Sequence, residues 1–347
     1  MTFSGSYAPE DVRFLLEPAE IAELSIAEKE RRIDAGEHYS DFLSAEKPPT
    51  EAYLSAYEAA LARNGDRLAG DVAVLARSLA EEVGPGLTIV SLARAGTPIG
   101  VLLKRLLDRA GIVDVAHYSI SIVRDRGLDF EALRQLVAAR DPSRIRFVDG
   151  WTGKGVIRRE LRRSLAEWRG PALEDELWVV SDLSGTSDRC ATRDDYLIPS
   201  AILGGTISGL VSRTVWSSPG LHRCRRLPEL SAFDGSRAFI ERILASTPDL
   251  SKVPLALRRN ETAEAAGAAS LKKLLLKYGM EENKIKPGLG ESTRVLLRRM
   301  PRLILIRDPA EPDVAHLQLL ARERGAPVEI EPSLPYQAAA LIATAGD

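Results

Sequence analysis

Four short runs of aliphatic and β-branched residues, Leu87–Leu92, Val113–Val123, Ile145–Val148 and Leu177–Ser181, alternate with helical patterns in this chain. The helices between them are predicted at Pro98–Ala110, Asp129–Ala139 and Val156–Trp168. Strands that alternate with helices of this length fold most simply as a doubly wound parallel sheet, because each helix carries the chain back to the same edge. In such α/β sheets ligands collect at the carboxyl ends of the strands, in the loops that lead into helices. Chemistry is therefore sought in those loops first.

The flanking regions read differently. Residues 1–82 are predicted to be helical, with apolar residues at three- and four-residue spacing in Glu51–Ala62 and Asp66–Val83, after a start signal at Pro48-Pro49-Thr50. Residues Ile198–Ser218 are apolar and rich in Gly and Ser, and read as buried helix or loop. Beyond the Ala- and Glu-rich run 261–270 and a basic helix, Leu271–Tyr278, a new unit begins. Its predicted order is helix Glu291–Arg299, strand Arg302–Ile306, helix Val314–Gly325, strand Val328–Glu331 and a helix from Leu334. The organisation expected is a helical region at 1–82 (part of a hood), an α/β domain at 83–260, a linker with basic helix at 261–284 and a small α/β/α domain at 285–347.

With 347 residues the chain is long enough for two cores. A net charge of -2, from 47 basic and 49 acidic residues, excludes a globally basic nucleic-acid binder and leaves local patches open. Two cysteines, Cys190 and Cys224, make neither a disulfide framework nor a four-cysteine zinc site, and they suit a reducing compartment. The four histidines are scattered and no HExxH occurs, so no protein-held metal is expected. No basic segment followed by an apolar run opens the chain, and Gly204, Gly205 and Gly209 interrupt its most apolar stretch. A cytoplasmic protein without membrane partners is expected.

Two of the strand-to-helix loops have the makings of phosphate sites. In Ser91-Leu92-Ala93-Arg94-Ala95-Gly96-Thr97 the small residues let backbone N–H groups approach an anion, the helix start adds partial positive charge, and Arg94 offers a two-pronged donor. In Asp149-Gly150-Trp151-Thr152-Gly153-Lys154-Gly155 the glycines permit positive φ, Thr152 and Lys154 can donate, and Asp149 can meet a sugar or a metal ion. Neither loop fits a Walker A or a dinucleotide fingerprint, and each alone reads equally as an ordinary turn.

Taken together the pair resembles the pyrophosphate and ribose-phosphate loops of type I phosphoribosyltransferases. His117–Asp129 and Asp194–Val215 resemble the phosphoribosyltransferase-like family of bacterial tellurium-resistance and stress operons. The resemblance covers roughly residues 35–245. It departs at Asp149-Gly150, where the pattern has two adjacent acids. It implies transfer between 5-phosphoribosyl 1-pyrophosphate and a nucleobase-like acceptor, with magnesium on the diphosphate. Arg94, Arg124 and Arg126 would then face the leaving group and Asp149 the ribose. Ala93, Ala95, Gly96, Thr97, Thr152, Gly153, Lys154 and Gly155 would hold the phosphates, and Asp182 the base. The oligomeric state stays open, a homodimer included.

The run Lys286–Arg294 resembles the RNA-contacting turn of the Pelota family, with Gly290 where the pattern has Asn. This implies binding of structured RNA through Gly288, Gly290, Glu291, Thr293 and Arg294. Lys272, Lys273, Lys277, Lys284, Lys286, Arg298, Arg299 and Arg302 add basic charge nearby, which would equally suit a solvated helix face. Two other functions stay open. One is a non-catalytic, nucleotide-sensing RNA-binding regulator. The other is a thiol hydrolase using Cys190, since members of the stress-operon family are sometimes labelled cysteine proteases.

Overall fold

The computed structural model describes residues 2–342. Four two-residue strands lie near the start, β1 (Arg13–Phe14), β2 (Glu17–Pro18), β3 (Glu23–Leu24) and β4 (Leu43–Ser44), with helix α1 (Ile26–Asp34) between β3 and β4. Helix α2 (Glu51–Glu82) follows. Then come β5 (Thr88–Ala93), α3 (Gly96–Arg109), β6 (Ala116–Val123), β7 (Gly127–Leu128), α4 (Phe130–Ala139), β8 (Ile145–Thr152), α5 (Val156–Glu167), β9 (Leu177–Asp182) and β10 (Arg189–Thr192). After β11 (Arg223–Cys224), α6 (Ser236–Ala245) and β12 (Leu257–Arg258), helix α7 (Glu261–Tyr278) leads to the second unit. That unit comprises β13 (Ile285–Pro287), α8 (Leu289–Arg298), β14 (Pro301–Ile306), α9 (Ala315–Arg324), β15 (Val328–Ile330) and β16 (Ala338–Ile342).

The main sheet is α/β and mixed, in the order β1-β6-β5-β8-β9-β10-β12, with β7 beside β6. Its four central pairings are parallel, while β7 and β12 run antiparallel at the margins. Strands β5 and β8 are buried on both faces, as central strands of a parallel sheet must be. One face is covered by α2, α3 and α6, the other by α4 and α5. From β5 the chain winds one way to β6, then crosses back to β8 on the other side of β5. The crevice between the carboxyl ends of β5 and β8 is therefore the switch point of the sheet.

The second sheet runs β13-β16-β14-β15, with α8 and α9 on one side and α7 on the other. The side carrying α8 and α9 continues the core of the first unit, where Leu289, Leu296, Leu317 and Ala321 belong to the same cluster as Leu68 and Ile198. Polar anchors cross the join. Asp195 accepts the backbone N–H of Leu289 at 2.9 Å and of Gln337 at 2.8 Å. Asp313 accepts the N–H of Leu197 and the side-chain amide of Asn64. Helix α7 crosses the loop after β9 so closely that a Cβ on Gly267 would stand 2.5 Å from the carbonyl oxygen of Ser184.

Several expectations need correction. Residues 1–82 are not helical throughout, because residues 2–25 form short strands and turns, and β1 adds an edge strand to the main sheet. The two predicted helices at 51–62 and 66–83 are one. Asn64, which alone would mark a break, is held inside α2 by its bonds to Leu197 O and Asp313. The glycine-rich turn begins later than expected, since Asp149–Thr152 extends β8. No helix starts at Leu334. Ala338–Ile342 is a fully buried strand between β13 and β14, where small apolar residues fit a sheet covered on both faces.

A basic cavity beneath the C-terminal unit

The loops after β5 and β8 flank the switch point, and helix α8 of the second unit covers it. Between them lies a chamber of about 170 Å³, lined by Ala93, Arg94, Ala95, Trp151, Arg213, Arg294 and Arg298 among others. Four guanidinium groups converge on a small space, so it favours an anion. Arg94 is 8% exposed. Its Nη1 donates to Val211 O at 2.8 Å and to Glu46, while its Nη2 is buried with no hydrogen-bond partner among the described residues.

The rest of the first loop is structural. Gly96 approaches β8 so closely that a Cβ would lie 2.7 Å from Val148 O. Thr97 is fully buried with its hydroxyl on Ser119, facing away from the chamber. In the second loop, Asp149 bonds the N–H of Gly150 at 2.7 Å, and burial pushes its carboxyl up to about 6 although Arg294 opposes the shift. The Thr152 hydroxyl accepts from the N–H of Gly155, which has φ +69° at the start of α5. Gly153 meets the second unit directly, since a Cβ there would be 2.7 Å from Pro287 O. Lys154 donates to Glu282 O, and burial followed by Lys286 lowers its ammonium to about 7. This loop is thus roofed by the second unit.

Other expected residues lie elsewhere. Arg126 pairs with Asp41 and stacks over Trp216 at 4.6 Å, while Arg124 lies over the Tyr39 ring and pairs with Asp125. Both tie down the N-terminal segment beside the chamber rather than lining it. Both carboxylate oxygens of Asp182 are spent on the backbone and hydroxyls of Ser184, Gly185 and Ser187, which fixes the loop after β9.

The Pelota-like turn faces inward. Gly288 has φ +91° against Leu183, and Gly290 packs on the Trp151 ring. Arg294 stacks over Trp151 at 4.4 Å and pairs with Glu291. The Thr293 hydroxyl is buried between Leu289 O and His316. Among the described residues no cluster of three or more His, Cys, Asp or Glu could hold a metal ion. At the switch point Asp149 faces Arg294, whose guanidinium is also paired with Glu291, so magnesium would have to arrive on a ligand's own oxygens.

Both thiols are covered. Cys190, 1% exposed on β10, is pushed up to about 11 by burial and then Asp182. Cys224, fully buried on β11, is pushed up to about 12 by burial. His222, two residues before Cys224, has Nδ1 2.8 Å from Ser121 Oγ and its backbone N–H on Asp129. Burial depresses this histidine and raises that carboxyl. Sequence reasoning missed Glu46, Arg213 and Arg298 as neighbours of the chamber. Arg213 and Arg298 had a signal in their basic character, whereas Glu46 had none, because only the tertiary path of the N-terminal segment brings it to Arg94.

An α/β body whose switch point is closed by an appended unit defines the class. A family model described as tellurite-like stress resistance cysteine protease StiP matches residues 5–244, and one for the PELOTA RNA binding domain matches residues 265–344. Cysteine protease StiP of Acinetobacter baylyi is 40% identical over 366 aligned positions, covering 99% of this chain and 95% of that protein. The chain belongs to the StiP family and carries a Pelota RNA-binding domain. The crystal structure of the cysteine desulfurase CsdA from Escherichia coli is also similar, at 12% identity and TM-score 0.25 over 92% of this chain and 86% of that one, which is too slight to bear on the fold.

These findings overturn phosphoribosyl transfer as the activity, because the family and the relative are both named for a cysteine protease. The transferase class falls with it. The geometry gives a reason for the misreading: the two loops do flank a switch point, as in many α/β proteins, yet the second acid is absent and Lys154 is turned to the backbone of Glu282. No helix among the described residues is long and apolar enough to cross a membrane.

Proposed function

We propose that this chain is a thiol-dependent hydrolase of the StiP family, latent in the conformation described, with an RNA-binding unit joined to it. The observation that carries this is the 40% identity to a named cysteine protease across both units. The chain has two thiols, so the nucleophile is one of them. Sheet order favours Cys224 over Cys190. Cys190 on β10 stands four strands from β6, about 19 Å at the usual strand spacing, and so is remote from His222, which bonds to Ser121 of β6. Cys224 shares an extended stretch with His222, and Asp129 adds negative charge beside that ring. In the reaction His222 would take the thiol proton, and the thiolate would add to a peptide carbonyl. The amine would leave with that proton, and water would then cleave the thioester.

Latency follows from burial, since a thiol held near 12 is almost wholly protonated at neutral pH. Activation therefore requires β11 to loosen from its neighbours, the two-residue parallel pairing with β2 and the bridge to Val215. The test is casein hydrolysis by the full chain across sub-denaturing urea concentrations. Hydrolysis is expected to be lost in Cys224→Ala and kept in Cys190→Ala. Hydrolysis that survives removal of both thiols, or its absence from the parent at every urea concentration, would sink the proposal.

A second reading has its own observation, the unpartnered Arg94 Nη2 in a basic chamber roofed by the RNA-binding unit. In it the chain is a nucleotide-sensing, RNA-binding regulator. RNA contact through Gly288, Gly290, Glu291, Thr293 and Arg294 would require the units to part. ATP that alters the affinity of the full chain for a structured RNA would support this reading, and equal affinity with and without ATP would remove it. The likeness of the body to type I phosphoribosyltransferases is proposed for architecture alone, supported by the two loops flanking the switch point.

A further inference from the structure

A second cavity, of about 650 Å³, opens between the N-terminal segment, the 202–206 stretch and helices α8 and α9. It adjoins the smaller chamber at Leu203, Gly204, Arg213 and Arg298, and neither switch-point loop lines it. Its size is that of an ordinary metabolite site. Most of its wall is apolar, including Leu43, Tyr53, Ile202 and Leu320, whereas its inner end is cationic.

The charges at that end are not balanced. Lys29 is 5% exposed, and its ammonium meets only neutral oxygens, Arg298 O at 2.7 Å and Ser44 Oγ at 3.1 Å. Arg213 likewise donates to the carbonyls of Tyr39, Phe42 and Thr214. The Arg298 guanidinium has no hydrogen-bond or ion-pair partner among the described residues, and it approaches the same point as Arg94. A Cβ on Gly204 would lie 2.7 Å from Arg94 Nη2 and 3.4 Å from Arg298 Nη2. Glu46 faces this group, but it is already bonded to Arg94 and to the N–H of Gly205, and Glu30 is spent on Arg299. One buried cation, Lys29, and two half-buried ones, Arg213 and Arg298, thus converge with a single shared carboxylate, an arrangement that favours an added anion.

From this arrangement we propose that the larger cavity binds an organic acid, a carboxylate on an apolar body, with its head on Arg298 and Lys29 and its body along Tyr53, Ile202 and Leu320. A planar carboxylate matches the fork of a guanidinium, as Glu46 does beside it. The apolar walls disfavour a sugar or a nucleotide. Because Arg298 and Leu320 come from the second unit and Tyr53 and Ile202 from the first, the bound acid clamps the units together.

The experiment is calorimetry on the full chain with decanoate, 2-naphthoate and 1-decanol as probes, with thermal melting of each variant to confirm folding. One equivalent of an acid probe is expected to bind, at least about tenfold more tightly than decanol. Arg298→Met should weaken it about tenfold or more, and Arg298→Lys should restore part of the affinity. Leu320→Trp, which fills the apolar end, should abolish binding. Arg163→Met, on α5 and in the lining of neither cavity, should leave it unchanged. Failure of both acids to bind at about 1 mM, decanol binding as tightly as decanoate, or full affinity in Leu320→Trp would each overturn the proposal.

Discussion

Replacing Gly290 by Asn restores the residue that the Pelota pattern carries there, and the structure argues that this chain cannot accept it. A Cβ at 290 would stand 2.5 Å from Cε2 and 2.7 Å from Nε1 of Trp151. The indole is braced, since it projects from β8 in the main sheet and Arg294 stacks on it at 4.4 Å. Either the ring or the start of α8 must move. Overpacking of this kind costs about 1–3 kcal/mol. Loss of the Arg294 stacking adds about 0.5–1 kcal/mol. Asn gains only a few tenths of a kcal/mol over Gly in helix propensity. The net expectation is a destabilisation of about 2–3 kcal/mol, combining those terms. Urea unfolding of the full chain, followed by circular dichroism and tryptophan emission, measures it. The same substitution made in Trp151→Ala should cost at least about 1 kcal/mol less, because the obstructing ring is gone. A variant within about 0.5 kcal/mol of the parent, or an equal cost in both backgrounds, would refute the reasoning.

Asp195→Ala strips the acceptor from two backbone N–H groups across the join and should cost about 2–5 kcal/mol by urea unfolding, with Asp195→Asn losing less; a loss under about 1 kcal/mol would show that the anchor is solvated. Asp149 carries a pH signature. Its folded value of about 6 lies above the usual carboxylate value, so above pH 6 the folded state bears a buried charge that protonation relieves. The stability of Asp149→Asn relative to the parent should therefore be greatest above pH 7 and shrink by about 2–3 kcal/mol as pH falls to 4; a pH-independent difference would contradict the raised value. Cys190 should react with an aromatic disulfide only as the chain unfolds, in step with the circular dichroism transition, whereas Cys224 should react at the lower urea concentrations that activate hydrolysis, and its rapid labelling without urea would remove the need for activation.

The strand-and-helix alternation at 87–182 was legible because it rests on local pattern, and the loops it singled out do flank the crevice. What the sequence could not carry was what covers them. The RNA-turn residues read as a free surface because nothing local says that Gly290 abuts Trp151 or that Asp195 binds Leu289, residues about a hundred positions apart or more. Asp182 read as a ligand group because a strand-end carboxylate with no visible partner looks available, yet its partners, Ser184, Gly185 and Ser187, lie just ahead of it in the chain. The run at 338–342 misled for another reason: alanine has high helix propensity, and only its place between two strands selects the extended form.

Helix α7 rests on the loop after β9 at Gly267 and Gly185, and the unit beyond it is fastened to the body again through Asp195 and Asp313. The segment is thus held at both ends, like a spacer of fixed length and phase. Inserting one residue after Gly267 would rotate everything downstream by about 100° and advance it by about 1.5 Å. The glycine contact and the two carboxylate anchors could not then be kept together. Relatives that preserve this closure should tolerate many side-chain changes along the exposed face of α7 and very few changes in its length.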